Sequence, residues 1–69
     1  MRLSARNQLK GTIVEVRKGV TTTHVRIDIG DGRIVTSAIT NESAEELGLA
    51  VGKEAYAVIK SSDVMIAVD

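Results

Sequence analysis

Cysteine is absent from this chain of 69 residues, as are phenylalanine and tryptophan, and Tyr56 is its lone aromatic side chain. Without cysteine, neither a disulfide framework nor a zinc–thiolate site can hold the fold. His24 is the single histidine, so no metal-ligand set is predicted around it. The missing rings count against single-strand nucleic-acid binding, which stacks bases on aromatic faces. An excess of either charge is missing too: nine Lys and Arg balance nine Asp and Glu, whereas nucleic-acid binders usually show a basic surplus. No apolar run suffices for a membrane span and no secretory pattern opens the chain, so a cytoplasmic protein without a membrane partner is expected.

What the chain does have is Val and Ile in short alternating runs, more than one face of a small sheet needs. Its length allows one domain, residues 1–69, with a modest core. Surplus aliphatic surface, with no disulfide or metal to staple the fold, predicts burial between subunits.

The runs have an order. Gly11 to Lys18 places Thr12, Val14 and Val16 on one face and Ile13, Glu15 and Arg17 on the other, which predicts a strand. Val20 to Ile29 alternates most cleanly, with Thr21, Thr23, Val25, Ile27 and Ile29 on the face expected to turn inward. Gly30-Asp31-Gly32 signals a hairpin, and Arg33 to Ile39 returns as a third strand. Thr40 to Leu49 changes character: Thr40 or Asn41 can cap a short helix, Ser43 and Glu46 have capping-box spacing, Leu47 and Leu49 supply apolar contact, and Gly48 can end it. Glu54 to Lys60 and Val64 to Val68 follow as fourth and fifth strands about a turn at Ser61-Ser62-Asp63. The predicted fold is all-β with one short helix, and five strands with the helix after the third have the order of a small OB-like barrel.

Two polar segments flank these strands. Ser4-Ala5-Arg6-Asn7-Gln8-Leu9-Lys10-Gly11 leads into the first, and Lys60-Ser61-Ser62 joins the fourth to the fifth. Both offer hydroxyls, cations and small neighbours that let a ligand reach main-chain N–H groups, the donor set a tetrahedral oxyanion needs. The residues singled out are Ser4, Arg6, Lys60 and Ser61, on the expectation that the two segments meet. Thr40 and Ser43 are further candidates at the start of the helix, where capping competes for the same hydroxyls. The Gly19-Val20 loop is another, for its main-chain donors, although a lone glycine loop is more often just a turn. His24 reads as a surface or interface residue. Glu45 and Glu46 are adjacent on the helix and do not face each other, so they make no carboxylate pair. Nothing in the chain supports catalysis.

The opening SARNQLKGTI, the stretch Ile39-Thr40-x-x-Ser43-x-x-x-Leu47-Gly48-Leu49, Gly52, and Ala57-Val58-Ile59-Lys60-Ser61-Ser62-Asp63-Val64 together resemble the molbindin, or molybdenum–pterin-binding (Mop), family. The resemblance covers the whole chain in order. It implies an OB-like fold, a hexamer built as a trimer of dimers, and molybdate or tungstate held at subunit interfaces for storage or homeostasis, without turnover and without a cofactor. One class of site would use Ser4, Arg6, Lys60 and Ser61, joined by Thr40 and Ser43 of a neighbouring subunit. A second, on the threefold axis, would use Gly19 and Val20. Despite the family name, no pterin pocket is expected, since stacking aromatics are missing. The alternative is an OB-type nucleic-acid-binding module, which rests on strand order alone.

Overall fold

The computed structural model describes all 69 residues. Strands β1 (Asn7–Lys18), β2 (Thr22–Asp28) and β3 (Ile34–Thr40) run into helix α1 (Asn41–Leu47), and β4 (Glu54–Ile59) leads to a 3₁₀ turn at Ser61–Asp63. They form one antiparallel sheet in the order β3-β2-β1-β4. The sheet curls around its inner face as an OB-like half-barrel. β1 belongs to two ladders: Asn7–Thr12 pairs with β4, and Thr12–Lys18 pairs with β2.

A bulge in β1 explains where the sequence reading of this strand fails. Ile13 pairs with Ile27, but the next partner of β2 is Glu15, opposite Arg26. The extra residue, Val14, breaks the period of two, so Ile13 and Val16 both face inward although they are three apart. Ile13 is fully buried and Val14 is exposed, so Val16 shares its face with Ile13 and not, as simple alternation predicts, with Val14. β2 keeps its phase: Thr23, Val25 and Ile27 are buried, as alternation predicts. Ile13, Val25, Ile27 and Ala57 make the core, with Val16, Val35, Ile39 and Leu49 packed against it.

The β2–β3 connection is a tight turn in which Arg33 N–H bonds Gly30 O at 3.0 Å. Its central residues have φ of 55° (Asp31) and 74° (Gly32), the two left-handed positions that make Asp-Gly a hairpin signal. Thr40 caps α1, its hydroxyl accepting from Ser43 N–H, and Gly48 ends the helix in the left-handed region. Ser43 thus stands inside the first turn, and the capping-box reading of Ser43 with Glu46 does not hold. Ala44 is buried and Leu47 exposed, so Ala44 and Leu49, rather than Leu47, fasten the helix.

The expected fifth strand is not formed. Val64–Asp69 pairs with nothing, and Met65, Ile66 and Val68 are about nine-tenths exposed. β3 and β4 therefore remain free edges, separated by a cleft of about 440 Å³ lined by Ile27, Val35, Tyr56, Ala57, Val58 and Ile59 among others. The accessible surface is 5526 Å², roughly 1,300 Å² more than the ~4,200 Å² that size scaling gives a compact protein of this mass. Apolar side chains are part of that uncovered surface, Val20, Met65, Ile66 and Val68 above all.

Candidate functional site

β1 and β4 bring the two polar segments together. The β1–β4 ladder ends with Asn7 opposite Ile59, so the residues just before one strand meet those just after the other. Two side chains fasten this junction. Asn7 Nδ2 donates to Ile59 O at 3.2 Å, and Gln8 Nε2 donates to Ala5 O at 2.9 Å. The result is an open recess of about 660 Å³ lined by Ser4, Ala5, Val58, Lys60, Ser61, Ser62 and Asp63. Of the predicted residues, Ser4, Lys60 and Ser61 share this recess, while Arg6 is exposed and outside its lining.

The electrostatics of the recess lie in the main chain as much as in Lys60. Four of the carbonyls around it are engaged: Ala5 O by Gln8, Ile59 O by Asn7, Lys60 O by Asp63 N–H and Ser61 O by Val64 N–H. The 3₁₀ turn leaves the N–H groups of Ser61 and Ser62 without partners inside it. Four acceptors tied down beside two open donors suit an anion. Asp63 is the one carboxylate on the lining and offsets the charge of Lys60. An anion here would therefore rely on directed hydrogen bonds.

Thr40 and Ser43 lie elsewhere. Thr40 pairs with Thr22, and Asn41 N–H bonds Thr21 O at 3.0 Å, which places the start of α1 beside the β1–β2 loop. That is the opposite end of β1 from Ser4, so one chain does not bring Thr40 or Ser43 to the Ser4–Lys60 recess. Capping uses the Thr40 hydroxyl in both directions: Thr40 Oγ1 accepts from Ser43 N–H at 3.1 Å and donates to Ser43 Oγ at 2.9 Å. Thr40 is occupied by the cap, while the hydroxyl hydrogen of Ser43 is left to donate outward. Gly19 and Val20 sit in this second cluster, on a recess of about 350 Å³ that Arg17, Lys18, Thr21, Thr22 and His24 also line.

Sequence reasoning passed over the struts. Asn7, Gln8 and Asn41 each spend a side-chain amide on main-chain carbonyls next to a candidate donor. Their amide chemistry was visible, but the carbonyls they reach were not. No group of three or more His, Cys, Asp or Glu side chains is placed to hold a metal ion. No helix is long and apolar enough to cross a membrane.

Comparison with known proteins adds a family. The TOBE domain model matches residues 3–66. A probable molybdenum-pterin-binding protein of Haemophilus influenzae is 48% identical over 69 residues, covering all of both chains. The apo structure of MopII from Clostridium pasteurianum superimposes with a TM-score of 0.91 at 51% identity, covering 97% of this chain and 100% of that one. The cytoplasmic molybdate-binding protein ModG, solved with molybdate bound, gives a TM-score of 0.89 at 43% identity, with 94% of this chain matched to 46% of the larger one.

Proposed function

The chain belongs to the TOBE domain family, among its molybdenum-pterin-binding (Mop) members, and from that premise we propose that it binds molybdate, and tungstate with it, in the recess of Ser4, Lys60 and Ser61. The observation that carries this reading is the convergence of those three residues around engaged carbonyls and open N–H groups. Arg6 contributes its main-chain N–H from the edge of the recess. Thr40 and Ser43 are supplied by a neighbouring subunit, Ser43 as the donor and Thr40 as the cap that orients it, since within one chain they stand at the far end of β1. The role is storage or homeostasis in the cytoplasm by residues 1–69 acting as one domain. Nothing is turned over, and no cofactor is required.

The protein works as a homo-oligomer, a hexamer built as a trimer of dimers. Support comes from surface that the isolated chain leaves bare. Val64–Val68 is an apolar segment of strand length with no partner, and the cleft between the edges of β3 and β4 lacks a strand. A neighbour's tail laid into that cleft would pair both free edges and close the barrel that the sequence order implies. Lys10 and Arg26 on the outer face are paired with Glu54 and Glu15. That face presents no basic stripe for a phosphate backbone, so no nucleic-acid partner is assigned.

Calorimetric titration of the oxyanion-stripped protein with molybdate, tungstate and sulfate tests the proposal. Saturable binding of the first two with sulfate rejected is expected, and no heat from molybdate would end the storage reading. Replacing Lys60 with alanine removes a charge-assisted donor worth about 1.5–3 kcal/mol, so Lys60→Ala should weaken molybdate binding by roughly 10- to 100-fold. Lys60 is exposed and makes no ion pair, so the assembly should stay folded. Unchanged affinity would remove Lys60 from the site.

A further inference from the structure

We propose that Asn41 is the positioning residue of the Gly19–Val20 loop, turning the loop's carbonyls inward so that the N–H groups of Val20 and Thr21 face a bound oxyanion. The inference rests on the reading of this protein as a molybdate binder and assigns the loop's binding geometry to a residue outside it. Asn41 Nδ2 donates to both Gly19 O and Val20 O, each at 3.1 Å, and its main-chain N–H donates to Thr21 O at 3.0 Å. Gly19 N–H takes the next carbonyl, that of Thr22, at 2.8 Å. Four consecutive carbonyls are thereby engaged.

The amide of Asn41 is itself held in one orientation. Thr23 Oγ1 donates to Asn41 Oδ1 at 2.6 Å, and Thr23 is the one buried polar residue of the chain, 2% exposed. With Oδ1 occupied by a buried hydroxyl, Nδ2 must point at the loop. All peptide bonds are trans, so the N–H of each peptide points opposite to its carbonyl. Val20 N–H shares a peptide with Gly19 O, and Thr21 N–H shares one with Val20 O. Both N–H groups therefore aim away from Asn41, and neither makes a hydrogen bond. Arg17 and His24 line the recess beside them, Glu42 lines the adjoining one, and both Val20 and Thr21 are exposed. An anion meets two outward N–H dipoles with the opposing carbonyls neutralised from behind.

The test follows backbone amide resonances of the assembled protein during titration with molybdate, in unaltered protein, Asn41→Ala and Asn41→Asp. In unaltered protein the amides of Val20 and Thr21 should shift on titration, as should those of Ser4 and Ser61. Asn41→Ala removes every side-chain bond at once and could unfold the region, so Asn41→Asp is the sharper variant. Aspartate keeps an acceptor for Thr23 and suits the first turn of a helix, while losing both bonds to Gly19 O and Val20 O. Asn41→Asp is expected to keep the melting temperature and the Ser4 and Ser61 response, while the Val20 and Thr21 response weakens at least tenfold. Asn41→Ala, which adds no charge, should show the same split, and a split in a folded Asn41→Asp that a folded Asn41→Ala lacks would assign the loss to charge repulsion and overturn the positioning role. If Val20 and Thr21 respond equally in Asn41→Asp, or fail to respond in unaltered protein while Ser4 and Ser61 do, the positioning role is overturned and molybdate binding stands. If no amide responds in unaltered protein, both readings fall.

Discussion

A chain ending at Asp63 is expected to sediment as a folded monomer that binds molybdate several-fold more weakly. The deleted segment, Val64–Asp69, forms no element and pairs with no strand, so its loss takes no ladder from the fold and the far-ultraviolet circular dichroism should persist. What it removes is Val64, Met65, Ile66 and Val68, each worth roughly 1.5–3 kcal/mol if buried against a neighbour. It also leaves the cleft between β3 and β4 without an occupant. Separated subunits cannot offer Thr40 and Ser43 to another chain's Ser4 and Lys60. Losing the Ser43 hydroxyl donor, at about 0.5–1.5 kcal/mol, should raise the dissociation constant by roughly 2- to 10-fold. Equilibrium sedimentation decides the first half and calorimetry the second. A truncated chain that still assembles would show that other surfaces hold the oligomer together.

Replacing Gly11 with alanine should be the most damaging single-atom change in the chain. A Cβ at Gly11 would lie 2.4 Å from Asp28 O, 2.9 Å from Asp28 C and 2.7 Å from Ile27 Cγ2. Two of these are main-chain atoms of β2, held in place by pairing with β1 and β3, so they cannot swing aside as a long side chain would. Overpacking against a fixed backbone costs typically 1–3 kcal/mol and occasionally more. Here it strikes where β1 passes from one ladder to the other, and a loss of about 3 kcal/mol is expected. For a domain of this size that corresponds to a fall in melting temperature on the order of 10–20 °C. Gly19→Ala, whose Cβ would meet only Thr22 O at 2.9 Å, is the milder comparison. A Gly11→Ala protein melting within a few degrees of the original would mean that β1 and β2 can part without penalty.

Gly11 also shows what sequence can and cannot reveal. Its place in the SARNQLKG segment could be read, but its cause, the close approach of β2, is a tertiary fact. The phase of β2, the Asp31-Gly32 turn and the glycine that ends α1 were legible because each depends on neighbours within a few residues. The facing of β1 was not, since the bulge at Val14 is imposed by pairing with β2. Val64 to Val68 is an apolar run of strand length, yet a strand needs an edge to join, and within one chain none is taken. At the candidate site, Ser4, Lys60 and Ser61 were visible as donors. Their meeting depends on the β1–β4 ladder, and Asp63 entered the lining unannounced.

That ladder sets an order of events in time. β1, β2 and β3 are joined by short connections and can zip together as consecutive hairpins, whereas Asn7 and Ile59, a pair whose contact spans 52 residues, must wait for nearly the whole chain. Contacts of such long range form late because the intervening loop must close first. A nascent chain emerging from the ribosome therefore holds Ser4 without its counterpart until Lys60 and Ser61 have emerged as well. An oxyanion seated between the two would favour only the completed ladder, and by mass action would hold the newest part of the molecule in place.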